Sequence, residues 1–181
     1  MKKAIMFLTD GFEETEAIVP ADILRRAGVE VNLTSITGSL EVTGSHGIKV
    51  IADSVFDSFD ENDEADILIL PGGPGAAKYI ENQAVVDSLV RQNDKGGFIA
   101  AICAAPVTLG KLGLLKNKAA TCYPAMAGEL EAALKSAEEV VTDGNITTAR
   151  AAGASPQFGL ALAQILAGAE EAQKVKAAMW I

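Results

Sequence analysis

Histidine, cysteine and aromatic residues are scarce in this 181-residue sequence, and their scarcity excludes several kinds of site. The chain has one histidine, two cysteines and an aromatic content of 5%. A zinc-type site needs several imidazole or thiolate ligands at close spacing, so we expect no metal site. Cys103 and Cys122 could pair in principle, but no secretory pattern accompanies them. We therefore expect both thiols to remain free in a reducing cytoplasm.

Long apolar runs and an excess of positive charge are also absent. No window of about 18 apolar residues is available to span a bilayer. Asp10, Glu13 and Glu14 interrupt the start of the chain, where a signal peptide would be apolar. With 15 Lys and Arg against 24 Asp and Glu, the net charge is −9, which disfavours nucleic acid and anionic membranes as partners. We expect one domain over residues 1–181.

The most informative stretch is residues 97–106, an apolar run that leads into a cysteine, two alanines and a proline. The run predicts a strand buried on both faces. Helical spacing follows, with Pro106 in the first turn. Cys103 then lies on a sharp strand-to-helix turn, the geometry of a nucleophile elbow, where the helix N-terminus is expected to favour a thiolate. The alternative is that Cys103 is a small buried apolar residue.

The rest of the chain alternates apolar strands with helices, which predicts right-handed crossovers and a mainly parallel sheet covered on both faces. Strands are predicted at residues 3–8, 29–36, 67–70 and 118–122, with hairpins around 44–47 and 143–144, and residues 53–65 are read as surface. Helices are predicted at 13–27, 76–94 (with a break near 81–83), 106–113, 127–136, 155–167 and 169–180. Pro20 is expected to kink the first helix or shift its start. Ser155 is expected to cap its helix, with Pro156 at the first position.

Loops that follow the parallel strands meet at one edge of such a sheet, and ligands bind there. These loops carry three glutamates, a glycine-rich turn and Cys103. A reactive thiol needs a proton-exchanging partner. His46 lies on a predicted hairpin tip, which is more typical of a solvated residue. A carboxyl held protonated by burial is the other option, and spacing does not choose among Glu13, Glu14 and Glu16.

The glycine-rich turn at residues 71–75 does not have the spacing of a phosphate loop. No lysine follows it at Walker spacing, and no Gly-x-Gly-x-x-Gly occurs there. A rigid turn whose amides face an oxyanion is the better interpretation.

Five segments in this order carry a family resemblance. They are residues 10–16 (Asp-Gly-Phe-Glu-Glu-Thr-Glu), 22–28, 70–73 (Leu-Pro-Gly-Gly), 100–106 (Ala-Ala-Ile-Cys-Ala-Ala-Pro) and 150–158. By these motifs the chain resembles the ThiJ/PfpI superfamily, in the branch of the parkinsonism-associated protein DJ-1 and its bacterial relatives. The resemblance implies a single-domain, flavodoxin-like α/β sandwich of three layers with a class I glutamine amidotransferase-like nucleophile elbow. It also implies a cofactor-free homodimer, formed partly through the first helix.

Carried onto this chain, the resemblance assigns residue roles. It makes Cys103 the reactive cysteine and Glu16 the glutamate that hydrogen-bonds to it. Amides that bind an oxyanion or the substrate come from Gly72, Gly73 and Ala104, and Arg26 and His46 belong to an anion-binding region on the dimer side.

The chain departs from the family pattern at two positions. Some members place a histidine before a proline near the cysteine, where this chain has Tyr123-Pro124. Peptidase-like members have a histidine directly after the nucleophile, where this chain has Ala104. The resemblance therefore implies no Cys-His peptidase dyad.

The function implied is cysteine-dependent detoxification of reactive dicarbonyls by a glutathione-independent glyoxalase, with deglycase activity as an extension. The alternative is a redox sensor or chaperone-like stress protein that acts through oxidation of Cys103. A cysteine hydrolase or amidase ranks last, because it requires a base that the sequence does not provide.

Overall fold

Apolar strands alternating with helices build a central sheet that is almost wholly parallel. The computed structural model describes residues 1–56, 65–131 and 133–181. The strands in these ranges are β1 (Lys3–Leu8), β2 (Glu30–Ser35), β3 (Glu41–Thr43), β4 (Lys49–Ile51), β5 (Ser54–Val55), β6 (Ile67–Leu70), β7 (Phe98–Ile102), β8 (Ala119–Ala120), β9 (Leu134–Lys135), β10 (Val140–Asp143) and β11 (Ile146–Ala149).

The main sheet has the order β10-β11-β7-β6-β1-β2-β5. Its pairings are parallel except for the hairpin of β10 and β11. The inner order β2-β1-β6-β7-β11 is the flavodoxin-like arrangement, in which the chain moves outward from β1 in both directions. The predicted mainly parallel α/β fold is confirmed. The predicted hairpin around residues 44–47 forms a separate sheet of β3 and β4.

Helices cover both faces of this sheet, which makes three layers. The helices of the described residues are α1 (Glu14–Arg26), α2 (Lys78–Glu81), α3 (Gln83–Asp94), α4 (Pro106–Lys111), α5 (Ser155–Ala167) and α6 (Ala169–Met179). None of them combines the length and apolar character needed to cross a bilayer.

The continuous apolar strands are explained by burial on both sides. Along β1, Met6 and Leu8 belong to one apolar cluster and Phe7 to the other. The first cluster includes α1, α5 and α6 through residues such as Ile23 and Phe158, and the second includes α3 and α4. Successive side chains of a strand point to opposite faces, so a strand covered on both faces is apolar at every position.

The first helix begins where its capping residue places it and not at its proline. The Glu13 side chain accepts the N–H of Glu16 at 2.7 Å, and the helix runs from Glu14 to Arg26 through Pro20. Pro20 lacks the N–H that would reach the carbonyl of Glu16, yet it does not shift the start of the helix.

Two local predictions are wrong. No helix spans 127–136 in the described part of that segment, which excludes residue 132. A short 3-10 turn covers Pro124–Glu129, and β9 then pairs with β8. The N–H groups of Leu134 and Ser136 donate to carbonyls of the 118–120 segment, and this pairing prevails over the helix propensity of these residues. Ser155 is not a cap either, since it is the first residue of α5 and its buried hydroxyl has no hydrogen-bond partner in the described structure. Residues 57–64 of the predicted surface run lie outside the described residues.

Candidate active site

Cys103 occupies the turn between β7 and α4 in a strained backbone conformation. Its φ is +64°, in the left-handed region, which costs a non-glycine residue about 1–2 kcal/mol. Its N–H donates to the Ala149 carbonyl at 2.9 Å, and its carbonyl accepts the Tyr123 N–H at 2.8 Å. These two bonds fix the strained residue from both sides. The side chain is half-buried, as a reactive group that must meet a ligand requires.

Glu16 projects from the first turn of α1 into the interior and is completely buried. One oxygen, Oε2, accepts the Gly72 N–H at 2.9 Å. The other oxygen, Oε1, has no hydrogen-bond partner among the described residues. The Cys103 thiol is nevertheless close enough to affect the pKa of the carboxyl. The carboxyl in turn raises the pKa of the thiol.

Gly72 allows these two side chains to meet. A Cβ atom on Gly72 would lie 2.5 Å from Oε2 of Glu16, 2.7 Å from the Cβ of Cys103 and 2.8 Å from the carbonyl of Ile102. A Cβ atom essentially never comes this close to a non-bonded atom, so a side chain at this position would displace one of the pair. The next residue, Gly73, has a φ of +91° and a backbone equally crowded by the 11–13 loop.

The Gly72→Ala variant should therefore disturb the pair without straining its own backbone. We expect the added methyl group to lower the free energy of unfolding by about 2 kcal/mol, as overpacked interiors do. Urea denaturation measures this loss. Gly153→Ala is the matched control, because no atom lies within 4 Å of its added Cβ. Equal stability of the two variants would contradict the crowding described here.

Glu16 and Cys103 titrate as a coupled pair. Burial raises the pKa of the Glu16 carboxyl to about 7, although the neighbouring Cys103 thiol and the Gly72 N–H lower it. Burial, together with the charge of ionised Glu16, raises the pKa of Cys103 to about 12, although the N–H groups of Gly73 and Ala104 lower it. The helix N-terminus was expected to favour a thiolate, and the N–H groups of Gly73 and Ala104 do act in that direction. Burial and Glu16 outweigh them, so the pKa of the thiol is raised. Between these two values the pair holds one proton and one negative charge.

The raised pKa of Glu16 predicts a stability change with pH. The folded carboxyl keeps its proton up to about pH 7, whereas its ordinary value is 4.5. The stabilisation is therefore complete below pH 4.5 and is lost as the pH rises through 7, which amounts to about 3 kcal/mol. We expect Glu16→Gln to gain stability relative to the wild type by about this amount between pH 4.5 and 7.5. Denaturant titrations of both proteins across that range test this, and parallel stability curves would refute it.

A cleft of about 610 Å³ opens beside Cys103. Its base includes Gly73, Cys103 and Ala104, and its walls come from the 74–81 segment, α4 and the 123–129 segment. Tyr123, at the position where some relatives of the predicted family have histidine, lines this cleft and is exposed. The sequence indicated the base of this cleft but not its walls, which come from side chains far apart in the chain.

Arg26 and His46 do not line this cleft. Arg26 pairs with Asp22 at 2.8 Å on the surface of α1. His46 lies on the hairpin of β3 and β4, where its Nδ1 is 2.8 Å from Glu14 and its N–H donates to the same carboxylate at 2.7 Å. Burial opposes ionisation of Glu14, but these hydrogen bonds lower its pKa to about 2. The role of Arg26 and His46 in an anion-binding region remains a prediction.

Sequence spacing missed the contact between Glu14 and His46 entirely. One carboxylate oxygen each of Glu13 and Glu14 and a ring nitrogen of His46, the atoms that could bind a metal ion, lie within 4.8 Å of one another. The hydrogen bonds between Glu14 and His46 already account for this grouping, which attaches the hairpin to the first turn of α1.

The fold and the elbow agree with one protein family. A sequence model of the DJ-1/PfpI family matches residues 2–165. The chain belongs to the DJ-1/PfpI family. This confirms the resemblance inferred from the sequence motifs.

Relatives within the DJ-1/PfpI family match the chain over almost its whole length. Protein dj-1beta of Drosophila melanogaster is 38% identical over 177 residues, which cover 96% of this chain and 94% of that protein. The glutathione-independent glyoxalase DJR-1.2 of Caenorhabditis elegans is 30% identical, over 94% of this chain and 91% of that protein. A structure of oxidized Toxoplasma gondii DJ-1 superimposes with a TM-score of 0.95 at 32% identity and covers 99% of this chain and 98% of that one.

Proposed function

We propose that this protein is a cofactor-independent enzyme that detoxifies reactive dicarbonyls through a Cys103 thiolate and a protonated Glu16. The observation that carries the proposal is the coupled pair itself, a strained half-buried thiol beside a fully buried carboxyl with a pKa near 7. The name of the Caenorhabditis elegans relative, a glutathione-independent glyoxalase, supports this choice.

The proposed reaction begins with attack of the Cys103 sulfur on the aldehyde carbon of methylglyoxal. The aldehyde oxygen takes up the proton of Glu16, so that a hemithioacetal forms and Glu16 becomes a carboxylate able to act as a base. Glu16 then moves a proton between the two adjacent carbons, a general acid–base role for which a pKa near neutrality is well matched. The product is a lactoyl thioester, and water hydrolyses it to lactate and free thiol. Overall, methylglyoxal and one water become lactate.

Backbone amides have a defined part in this scheme. The N–H groups of Gly73 and Ala104 interact with the Cys103 sulfur and lower its pKa. In the reaction we assign them, with the Gly72 turn, to stabilising the oxygen that becomes negative after attack. Adducts of dicarbonyls with amines would enter the same sequence after release of the amine, which is the deglycase extension of this proposal.

Incubation of the protein with methylglyoxal in the absence of glutathione tests the proposal. We expect formation of lactate in proportion to enzyme, and enantiomer-specific lactate dehydrogenases would identify its stereochemistry. Denatured protein serves as the control for buffer-catalysed conversion. Absence of lactate above that control would overturn the glyoxalase proposal.

One observation favours a second candidate, a stress protein that senses oxidants through Cys103. The thiol is half-buried and so partly accessible to an oxidant, and the carboxylate of Glu16 beside it could take up its proton during oxidation to a sulfinate. The oxidized state of the Toxoplasma gondii relative is consistent with such chemistry. Intact mass after mild peroxide separates the candidates. Selective addition of two oxygens at Cys103 without dicarbonyl turnover would favour the sensor.

We further propose that the protein is a cytoplasmic homodimer that uses α1 and the β3–β4 hairpin. The large apolar side chains of Ile18 on α1 and of Ile48 and Ile51 at the hairpin are exposed in the single chain. Arg26 and His46 belong to the same surface elements, where we place the anion-binding region on the dimer side. Light scattering coupled to size exclusion tests this, and a monomer at micromolar concentration would contradict it.

A further inference from the structure

The cleft beside Cys103 is larger than a small dicarbonyl requires. Its volume is about 610 Å³, within the range of about 300–1,000 Å³ that encloses drug-sized ligands. Methylglyoxal carries only a methyl group beyond its two carbonyls and would leave most of this space to water. A carbonyl compound with a larger body would fill it.

The walls of the cleft are mainly apolar. Ala77 and Ile80 contribute one side, and Val107 of α4 contributes another. Met126 of the 3-10 segment and Tyr123, the residue before that segment, also line the cleft. Methionine adapts to ligands of different shapes because its side chain is unbranched and flexible. Walls of this composition favour an apolar body, since water released from them is returned to bulk solvent.

Charged side chains are confined to exposed positions of the lining. Glu81, Lys111 and Glu129 are all exposed. Within the described ranges, none of the three forms an ion pair. They can remain solvated while a ligand occupies the apolar space, so they impose no charge requirement on its body.

We propose that the cleft selects carbonyl substrates with an apolar aryl or alkyl body over methylglyoxal, and that Ala77, Ile80 and Val107 determine this specificity. The inference rests on the proposed function for its reaction, but the preference is a property of the cleft. It is therefore measurable without turnover.

Alkylation kinetics of Cys103 provide that measurement. The Cys122→Ala background leaves one thiol, and intact mass follows its reaction with iodoacetamide and with the N-phenyl derivative of iodoacetamide. Each rate constant is divided by that of N-acetylcysteine to remove intrinsic reactivity. We expect the N-phenyl reagent to be favoured by about tenfold or more, as apolar pockets discriminate. In parallel, kcat/KM for phenylglyoxal and cyclohexylglyoxal should exceed that for methylglyoxal by a similar factor, after each value is divided by the rate constant of the same compound with N-acetylcysteine.

A substitution that fills the cleft locates the preference. Ala77 is exposed on the lining, so Ala77→Phe adds bulk there without entering the protein core, and Ala77→Leu is a milder second variant. We expect the alkylation ratio to fall by about tenfold in Ala77→Phe. Ala178→Phe, at an exposed position of α6 outside the lining, is the matched control and should retain the ratio.

The outcomes separate this inference from the proposed function. An alkylation ratio near one, or a ratio that Ala77→Phe leaves unchanged, overturns the selectivity whether or not dicarbonyls are turned over. A clear ratio that Ala77→Phe removes, in a protein that converts no dicarbonyl, supports the selectivity and overturns the glyoxalase proposal instead.

Discussion

Cys103→Ala is expected to abolish dicarbonyl turnover. The proposed reaction forms a covalent bond to the Cys103 sulfur, and alanine supplies neither the nucleophile nor the proton that Glu16 exchanges. Loss of a nucleophile typically lowers turnover by about a thousandfold or more. We therefore expect lactate formation at the level of the uncatalysed reaction, measured with methylglyoxal in the absence of glutathione.

Cys122→Ala is the control that the chain itself provides. Cys122 is buried, its sulfur interacts with the Tyr123 carbonyl, and it does not line the cleft. We expect this variant to retain turnover within about twofold and to lose only the small stability of a truncated core side chain. If Cys103→Ala retained more than a few per cent of wild-type turnover, the covalent route would be excluded.

The order of the elements was predictable because burial determines which positions of each strand and helix are apolar. Strands β1, β6 and β7 are apolar at successive positions, since both of their faces are covered. The failures have a different cause. Residues 127–136 have good helix formers, but the N–H groups of Leu134 and Ser136 donate to the carbonyls of Lys118 and Ala120, before and within β8. Such pairing joins distant residues and leaves no local signal. The single-domain organisation over 1–181 stays a prediction.

The position of Cys103 on the strand-to-helix turn was predictable, whereas its partner in the candidate site was ambiguous. The sequence offers three glutamates within four positions, and their roles differ only because of what surrounds them. Glu13 caps α1, Glu14 holds the hairpin through His46, and Glu16 is buried beside Gly72. His46 and Gly72 are remote in sequence from the glutamates that they contact, whereas the cap is a local contact. Motif resemblance selected Glu16, whereas spacing alone could not.

The coupling between Glu16 and Cys103 changes the chemical interpretation of the elbow. The helix N-terminus was expected to be sufficient to stabilise the Cys103 thiolate. Burial of the sulfur makes an isolated thiolate too costly for that. A carboxyl that ionises near pH 7 allows the pair to carry one negative charge at neutral pH. The amides of Gly73 and Ala104 partly offset the cost of moving that charge to the sulfur. In the proposed mechanism, reactivity is a property of the pair and requires no histidine.

This interpretation predicts how Glu16→Gln alters the dependence of rate on pH. In the wild type we expect kcat/KM to rise through a midpoint near pH 7, the pKa of Glu16, and to reach a plateau above it. In the variant the buried thiol must ionise alone, so the midpoint should move above 7. It should stay below 12, because the charge of Glu16 that raises the thiol pKa is gone. Loss of the proton shuttle should also lower the plateau by about a hundredfold or more.

Glu14→Gln is the matched control for this profile, because it removes a neighbouring carboxyl that does not act on the thiol. Glu14 is bound to His46 and Ser45, and neither Glu16 nor Cys103 owes its raised pKa to it. Its midpoint should therefore remain near 7. The pH dependence of Cys103 alkylation gives the same comparison independently of turnover. A midpoint that stays near 7 in Glu16→Gln would mean that Cys103 ionises without help from the carboxyl, and the shared-proton mechanism would have to be abandoned.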